Sequence, residues 1–427
     1  MTRRISTIGA SILVAASLAL AGCSGGDDGM TADGKIKLTV ATFNEWGYED
    51  LFKEYEKENP NIVIEHKKAA SSGEARDNLN TRLAAGSGLS DIEGIEVDWV
   101  PSLMQYSNNF TDLTDDEVKG RWIDWKEQAV TTEDGKLIAY GADIGPEALC
   151  YRADLFEKAG LPTDREEVAK LLEGDWDHYF EIGRKFKEAT GVPWYDSGMS
   201  VFQGMVNLLE NPFEKDDNSV IPLDKNKDIK DVYDKVLKAS IDDGLSAHLE
   251  QWSEDWQNSF QKEAFGTMIC PSWMLGVIEG NAKGVEGWDI ANVYPGGGGN
   301  WGGSYLTVPT QTKHPEEAKA LAKWLTAPEQ QIKAFKAKGT FPSQLEALDS
   351  EELLSINDDF FSGAPTGKIF AERAKAVTVQ PHKGPNYFQI MNIIQDAIKR
   401  ADGGGDKADA SWKKAIDEFE QADFQTE

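Results

Sequence analysis

From residue 35 onward the apolar positions change period in a regular order. Lys35-Ile36-Lys37-Leu38-Thr39-Val40 alternates, which predicts a strand with Ile36, Leu38 and Val40 on one face. Tyr48, Leu51, Phe52 and Tyr55 then recur at helical spacing, and Asn59-Pro60 ends that helix. Ile62-Val63-Ile64-Glu65 predicts a second strand. Leu79 and Leu83, four apart within 75–85, predict a helix closed by Gly86. Residues 92–97 predict a third strand. Strand-helix-strand-helix-strand implies α/β architecture: a parallel sheet with helices on its faces. Ligands bind beyond the carboxyl ends of such strands, which directs attention to loops 42–47, 69–73 and 98–101.

The second half repeats the style without a visible internal repeat. Helical spacing covers 153–160, 176–190, 229–241 and 254–264, around strands near 147–152 and 266–270. Residues 296–303 form a glycine-rich loop interrupted by Asn300 and Trp301. Pro315 opens an amphipathic helix with Ala318, Leu321, Ala322 and Leu325 on one face. Phe388, Met391, Ile394 and Ile398 predict a last apolar stripe.

The N-terminus follows a different pattern. Arg3 and Arg4 precede a short apolar run, 12–20, and then Leu20-Ala21-Gly22-Cys23. A basic start, an apolar core and small residues before a cut site predict an export signal over 1–22. The run is too short for a stable bilayer span. Leu20-Ala21-Gly22-Cys23 resembles a bacterial lipobox, in which Cys23 carries the lipid; an ordinary secreted protein cut nearby is the alternative. Residues 23–34 then read as a flexible tether. Thr2-Arg3-Arg4 partly matches a twin-arginine signal, so the export route stays open. The expected location is the extracellular face of the cytoplasmic membrane, held only by the lipid.

Length and charge narrow the function. The 427 residues exceed one ordinary core and predict two domains. A formal charge of −29 repels phosphate backbones and anionic lipid, so nucleic acid and peripheral membrane binding are excluded. The ligand expected is neutral or cationic. Apart from Cys23, Cys150 and Cys270 lie in strand-like runs of an exported chain. A bridge between them and two buried free thiols both fit the sequence.

The main chemical signal is aromatic residues at turn positions. Of 13 Trp, several fall where loops should face a cleft. Trp46 follows Asn44-Glu45 after the first strand, and Trp99 follows Asp98 after the third. Trp194 lies in a loop opened by Gly191 and Pro193, Trp273 directly follows a strand, and Trp301 stands beside Asn300 among glycines. Flat rings cover a sugar's apolar face while amides and carboxylates meet its hydroxyl rim. Burying ~100 Å² per stacked ring would contribute ~2.5 kcal/mol. Trp273 and Trp301 are read as ligand contacts; Trp46, Trp99 and Trp194 fit either a cleft or a core. Trp122, Trp125, Trp176, Trp256, Trp288, Trp324 and Trp412 are read as core.

No catalytic set stands out. His66, His178, His248, His314 and His382 lack ligand spacing, so no metal is expected. No Gly-x-Ser-x-Gly elbow occurs. Asp224–Asp228 imitates the start of a calcium loop but has Ile229 and Lys235 where Gly and Glu are required. The glycine run 296–299 lacks the following Lys-Ser/Thr of a phosphate cradle. No cofactor and no enzymatic activity are expected.

Residues 35–425 resemble the extracellular solute-binding lipoproteins of carbohydrate ABC importers (family 1). The resemblance rests on Lys37-Leu38-Thr39-Val40, on residues 52–64, on Leu83-Ala84-Ala85-Gly86 and on residues 149–162. Phe265-Gly266-Thr267-Met268-Ile269-Cys270-Pro271-Ser272-Trp273 and Pro315-Glu316-Glu317-Ala318 add to it. Residues 270–276 and 300–304 are similar to actinobacterial cellobiose- and cello-oligosaccharide-binding members. The resemblance implies the type II periplasmic-binding-protein fold, with two discontinuous α/β lobes joined by a hinge. Residues 35–144 plus 303–347 would form one lobe and 145–302 plus 348–427 the other. Hinge crossings are expected near 143–146, 302–306 and 343–351. It also implies a tryptophan platform at Trp273, an oligosaccharide ligand, permease transmembrane subunits as partners, and a monomer. Asn44, Glu45, Trp46 and Asp98 would grip the ligand from the first lobe. Tyr151-Arg152-Ala153 departs from the family's Tyr-Asn-Lys. Xylo-, malto- and chito-oligosaccharides remain open as ligands, as does a surface-tethered glycoside hydrolase.

Overall fold

The computed structural model describes residues 29–424. The export segment 1–22 and Cys23 lie outside the described residues. Order begins before residue 35: Met30 bridges Ile36, and the Lys37 N–H donates to Gly29 O at 2.7 Å. The last part of the expected tether is therefore a turn folded back on the first strand.

The first half builds as its periodicity predicts. Strand β1 (Ile36–Phe43) pairs in parallel with β2 (Ile62–Ala69) and β3 (Ile92–Glu96). Helices α1 (Glu49–Glu58) and α2 (Ser72–Ala85) form the crossovers. Gly86 ends α2 at φ 67°, where a glycine carries no Cβ penalty. Two further strands, β4 (Ala139–Gly141) and β9 (Ser304–Thr307), complete a sheet of order β2-β1-β3-β9-β4, with β9 antiparallel to both neighbours. The sheet is thus mixed, and β9, which begins at Ser304, joins it from far downstream of β4, which ends at Gly141.

The second half is built on a three-stranded antiparallel sheet. Strand β6 (Glu147–Arg152) lies between β7 (Thr267–Pro271) and β8 (Trp288–Ala291). Alternate residues of β6 enter separate cores. Leu149 and Tyr151 pack with the helices Trp176–Thr190, Gly198–Val206 and Tyr387–Asp402, whereas Ala148 and Cys150 pack with Trp256, Phe260 and Phe341. Because both faces are covered, β6 is fully buried. Cys150 and Cys270 form a disulfide that ties β6 to β7.

Segments crossing between the halves are short and close together. Strand β5 (Asp143–Ile144) pairs antiparallel with β10 (Phe341–Pro342), and Pro146 bridges Asn300. From β10 the third passage runs on through residues 343–345, which still bond to residues 121–123 of the first half. Beyond it, Leu345–Leu348 and Glu351–Leu354 are short helices whose Ala347 and Leu353 already belong to the second half's core. The helix Pro328–Lys338 divides its side chains: Ala334 faces the first half, while Ile332 and Phe335 face the second. The chain therefore leaves the first half before residue 347.

Candidate functional site

A cleft of about 300 Å³ opens where the strand ends of the first half meet the second half. Each wall follows from local sequence. Strand β1 ends at Phe43 and is followed by Asn44, whose φ of 51° turns the chain sharply and sends Glu45 and Trp46 across the end of the sheet. Trp46 is 5% exposed and its ring edge packs against Gly94, where a Cβ would stand 2.8 Å from Trp46 Cη2. Ser71, Ser72 and Gly73 bring the start of α2 to the cleft. Ser71 Oγ accepts from the Glu74 N–H at 3.2 Å, and Glu74 Oε2 accepts from the Ala70 N–H at 2.8 Å.

The opposite wall is aromatic. Trp273 follows β7, and its ring meets Trp301 edge-on at 5.8 Å and 87°. The Trp273 Nε1–H donates to Trp301 O at 2.8 Å, so the corner is locked. Gly145 makes this corner possible, since a Cβ there would fall 1.9 Å from Trp301 O. Trp252 extends the wall, parallel to Trp273 at 6.1 Å and 22°. Phe388, Met391, Asn392 and Gln395 join it from the helix Tyr387–Asp402.

The floor carries buried charge. Glu96, at the end of β3, is 8% exposed; one oxygen accepts from the Asp98 N–H at 3.1 Å, and Oε1 has no partner among the described residues. Burial, then the neighbouring Asp98, pushes its carboxyl well above the usual range. Behind the floor, outside the cleft lining, Lys126 is fully buried with its ammonium over the Tyr305 ring at 3.7 Å. Burial lowers its pKa to about 7, against the pull of Asp143 and Glu96. Asn44 Oδ1 is also closed off from solvent without a partner among the described residues. Buried polar atoms left open in this way are costly unless something fills them.

The structure brings Asn44, Glu45, Trp46, Asp98, Trp273 and Trp301 to one cleft. It moves the other three expected residues elsewhere. Trp194 is fully buried among Phe156, Tyr179 and Phe186, because residues 194–195 run between residues 245–246 and β7: the Trp194 N–H donates to Leu245 O and the Thr267 N–H to Trp194 O. Trp99 is 1% exposed, since it starts a helical turn whose Val100 and Leu103 enter the core. Asn300 is 4% exposed and braces the crossing segments, accepting from the Gly145 N–H at 3.0 Å and donating to Gly302 O at 2.9 Å. Asp98 does line the cleft, but its carboxylate is taken by Lys383. Of the tryptophans read as core, Trp122, Trp176, Trp256, Trp288 and Trp412 are buried, and Trp125 and Trp324 partly so.

Glu96 and Trp252 were not singled out by sequence, and Phe388, expected on the apolar stripe of the last long helix, lines the cleft instead. Phe388 sits one position off the buried stripe Tyr387, Ile390, Met391 and Ile394, which is a legible signal. Nothing local marks Trp252, which the fold delivers.

Residues 50–360 match a family model described as bacterial extracellular solute-binding protein. The arabinooligosaccharide-binding protein of Bacillus subtilis is 25% identical over 376 residues, 82% of this chain and 83% of its own. A crystal structure of a family 1 extracellular solute-binding protein superposes with TM-score 0.79 at 48% identity, covering 90% of this chain and 99% of that one. The ABC-transporter-associated binding protein of B. animalis subsp. lactis Bl-04, solved with β-1,6-galactobiose, gives TM-score 0.77 at 21% identity, covering 92% and 99%.

Proposed function

This chain belongs to the bacterial extracellular solute-binding proteins, and from that premise we propose that it captures a short neutral oligosaccharide for an ABC importer. Its fold is the two-lobed, type II periplasmic-binding-protein arrangement, and it is a binding protein rather than an enzyme. The observation that carries the proposal is the pairing of an indole corner with a wall of polar side chains across one enclosed cleft. A pyranose offers a flat apolar face to Trp273 and Trp301 while its rim hydroxyls meet Asn44, Glu45 and Glu96. Asn44 Oδ1 and Glu96 Oε1, beside the cleft and without partners among the described residues, favour a ligand rich in hydroxyl donors that closure brings onto them.

Cello-oligosaccharides are the first candidates. Their rings carry equatorial substituents, so their faces are flat enough to lie against the indole corner. Arabino-oligosaccharides are the second reading, supported by the Bacillus subtilis relative. The anchor proposed is a lipid on Cys23, which places the protein on the outer face of the cytoplasmic membrane. Among the described residues no helix is long and apolar enough to cross a membrane. Closure of the lobes around the sugar would create the surface that a permease recognises, because a ligand stabilises the closed form only through its differential affinity for it.

A thermal-shift panel of cellobiose, cellotriose, xylobiose, maltose, chitobiose and α-arabinobiose tests the class. Stabilisation by cellobiose or cellotriose supports the first reading, and stabilisation by α-arabinobiose alone moves the ligand to the second. No shift with any of them defeats the sugar proposal. Detergent-phase partition of the full-length protein, compared with a Cys23→Ala variant, tests the anchor.

A further inference from the structure

The third tryptophan of the aromatic wall is held in an unusual way. Trp252 has φ 73° and His248 has φ 57°, a left-handed conformation that bulky side chains rarely adopt. Two such residues in one short loop persist only when the surroundings determine them. Trp256 packs behind the Trp252 ring at 5.2 Å, and Trp252 O accepts from Gln257 Nε2 at 3.2 Å.

Two buried carboxylates grip the loop from below. Asp402, at the end of the helix Tyr387–Asp402, bonds through Oδ1 to His248 Nδ1 at 2.8 Å. Its Oδ2 accepts from Ser246 Oγ at 2.8 Å and from the Gly198 N–H at 3.0 Å, and the His248 N–H donates to Ser246 Oγ at 2.9 Å. Asp196 holds the far side: its backbone oxygen accepts from the Leu249 N–H, and its Oδ2 accepts from Gln251 Nε2 and Trp256 Nε1. The His248 contact is the part of this clamp that a substitution can reach cleanly, because its side chain is 46% exposed while that of Asp402 is 5% exposed.

We propose that His248 is a positioning residue for the cleft: its bond to Asp402 fixes the left-handed turn that carries the Trp252 indole into parallel contact with Trp273. His248 lies outside the cleft lining and acts only through Trp252. A loop released from Asp402 lets the indole leave Trp273 and exposes one ring face of the wall to disorder. The consequence for affinity rests on the sugar-binding reading above; the consequence for the indole pair does not.

The test is a double-mutant cycle of His248→Ala and Trp252→Ala, read two ways. Near-ultraviolet circular dichroism of the ligand-free protein follows the parallel indole pair, and calorimetric titration with cellobiose follows affinity. His248→Ala should reduce the indole dichroism as Trp252→Ala does and weaken cellobiose binding about five- to tenfold, the scale of one interface side chain. In the Trp252→Ala background it should change neither. His248→Asn, which retains a short donor and tolerates positive φ, should restore both. An unchanged dichroism band in His248→Ala overturns the proposal, as does an equal loss with and without Trp252. If the dichroism follows the cycle but cellobiose and the other panel sugars do not bind, the positioning role stands and the sugar reading falls.

Discussion

Lys383 and Asp98 form an ion pair between the two halves beside the cleft, each side chain 12% exposed. Asp98 follows β3 of the first half; Lys383 precedes the helix Tyr387–Asp402 of the second and also lies 5.3 Å from the Tyr387 ring. Arg76 on α2 makes a parallel link, with its guanidinium 4.5 Å over the Phe388 ring. These contacts close the two halves on each other beside the ligand space.

Breaking the pair should favour the open form. Truncating one member of a desolvated charge pair leaves the other unpaired and costs ~2–5 kcal/mol where burial is complete. With 12% of each side chain still exposed, the expected loss for Lys383→Met is about tenfold in cellobiose affinity. Small-angle scattering of the ligand-free variant should show a larger radius of gyration. The charge reversal Asp98→Lys with Lys383→Asp should recover part of the affinity. A variant that binds like the parent would show that the pair does not bias closure.

The Trp301 ring is half-buried and makes one wall of the corner with Trp273. Trp301→Ala should weaken sugar binding by ~1–3 kcal/mol with little change in melting temperature. Equal damage to melting and binding would assign the ring to the core instead.

Much of this was legible in the chain. Leu38 and Val40 alternate into the core, the Tyr48–Tyr55 spacing forms α1, and Gly86 caps α2, because local period and cap chemistry decide these elements. What failed depended on long-range pairing. Residues 193–195 look like a loop, opened as they are by Gly191 and Pro193, yet Tyr195 bridges both Ser246 and Thr267 and so pulls Trp194 inside. Strand β9 was assigned to the first half only through the family resemblance, because its partners lie far away in sequence and no local pattern marks the pairing. Asn300 stood beside Trp301 and was read with it, but adjacent residues on extended chain point in opposite directions, and its amide turned to the crossing segments.

Buried carboxyls give the protein a pH signature. Burial raises Glu147 from the ordinary 4.5 to about 8, with the Asn207 amide opposing. Between those values the unfolded chain has released a proton that the folded chain retains, so this group's stability contribution is complete below 4.5 and is lost as pH rises through about 8. Glu93, raised to about 7 by burial, acts in the same direction. Melting temperature should therefore fall from pH 5 to pH 8, and Glu147→Gln should flatten the fall. A parent protein with constant melting temperature across that window would contradict the assignment.

The Cys150–Cys270 disulfide closes a loop with a sequence separation of 120. In the chain-entropy model such a closure contributes ~4–5 kcal/mol. Intact mass of the native protein should be two hydrogens below that of the reduced form, and reduction should lower the melting temperature. Two thiols alkylated without reductant would rule the bridge out.

The central claim is that the indole corner receives a sugar ring. Calorimetric titration of the parent protein and Trp273→Ala with cellobiose and α-arabinobiose tests it most directly. The account predicts saturable binding of at least one sugar at roughly micromolar affinity or tighter, weakened by a factor of ten or more in Trp273→Ala. Binding of the same sugar with equal affinity by both proteins would contradict it.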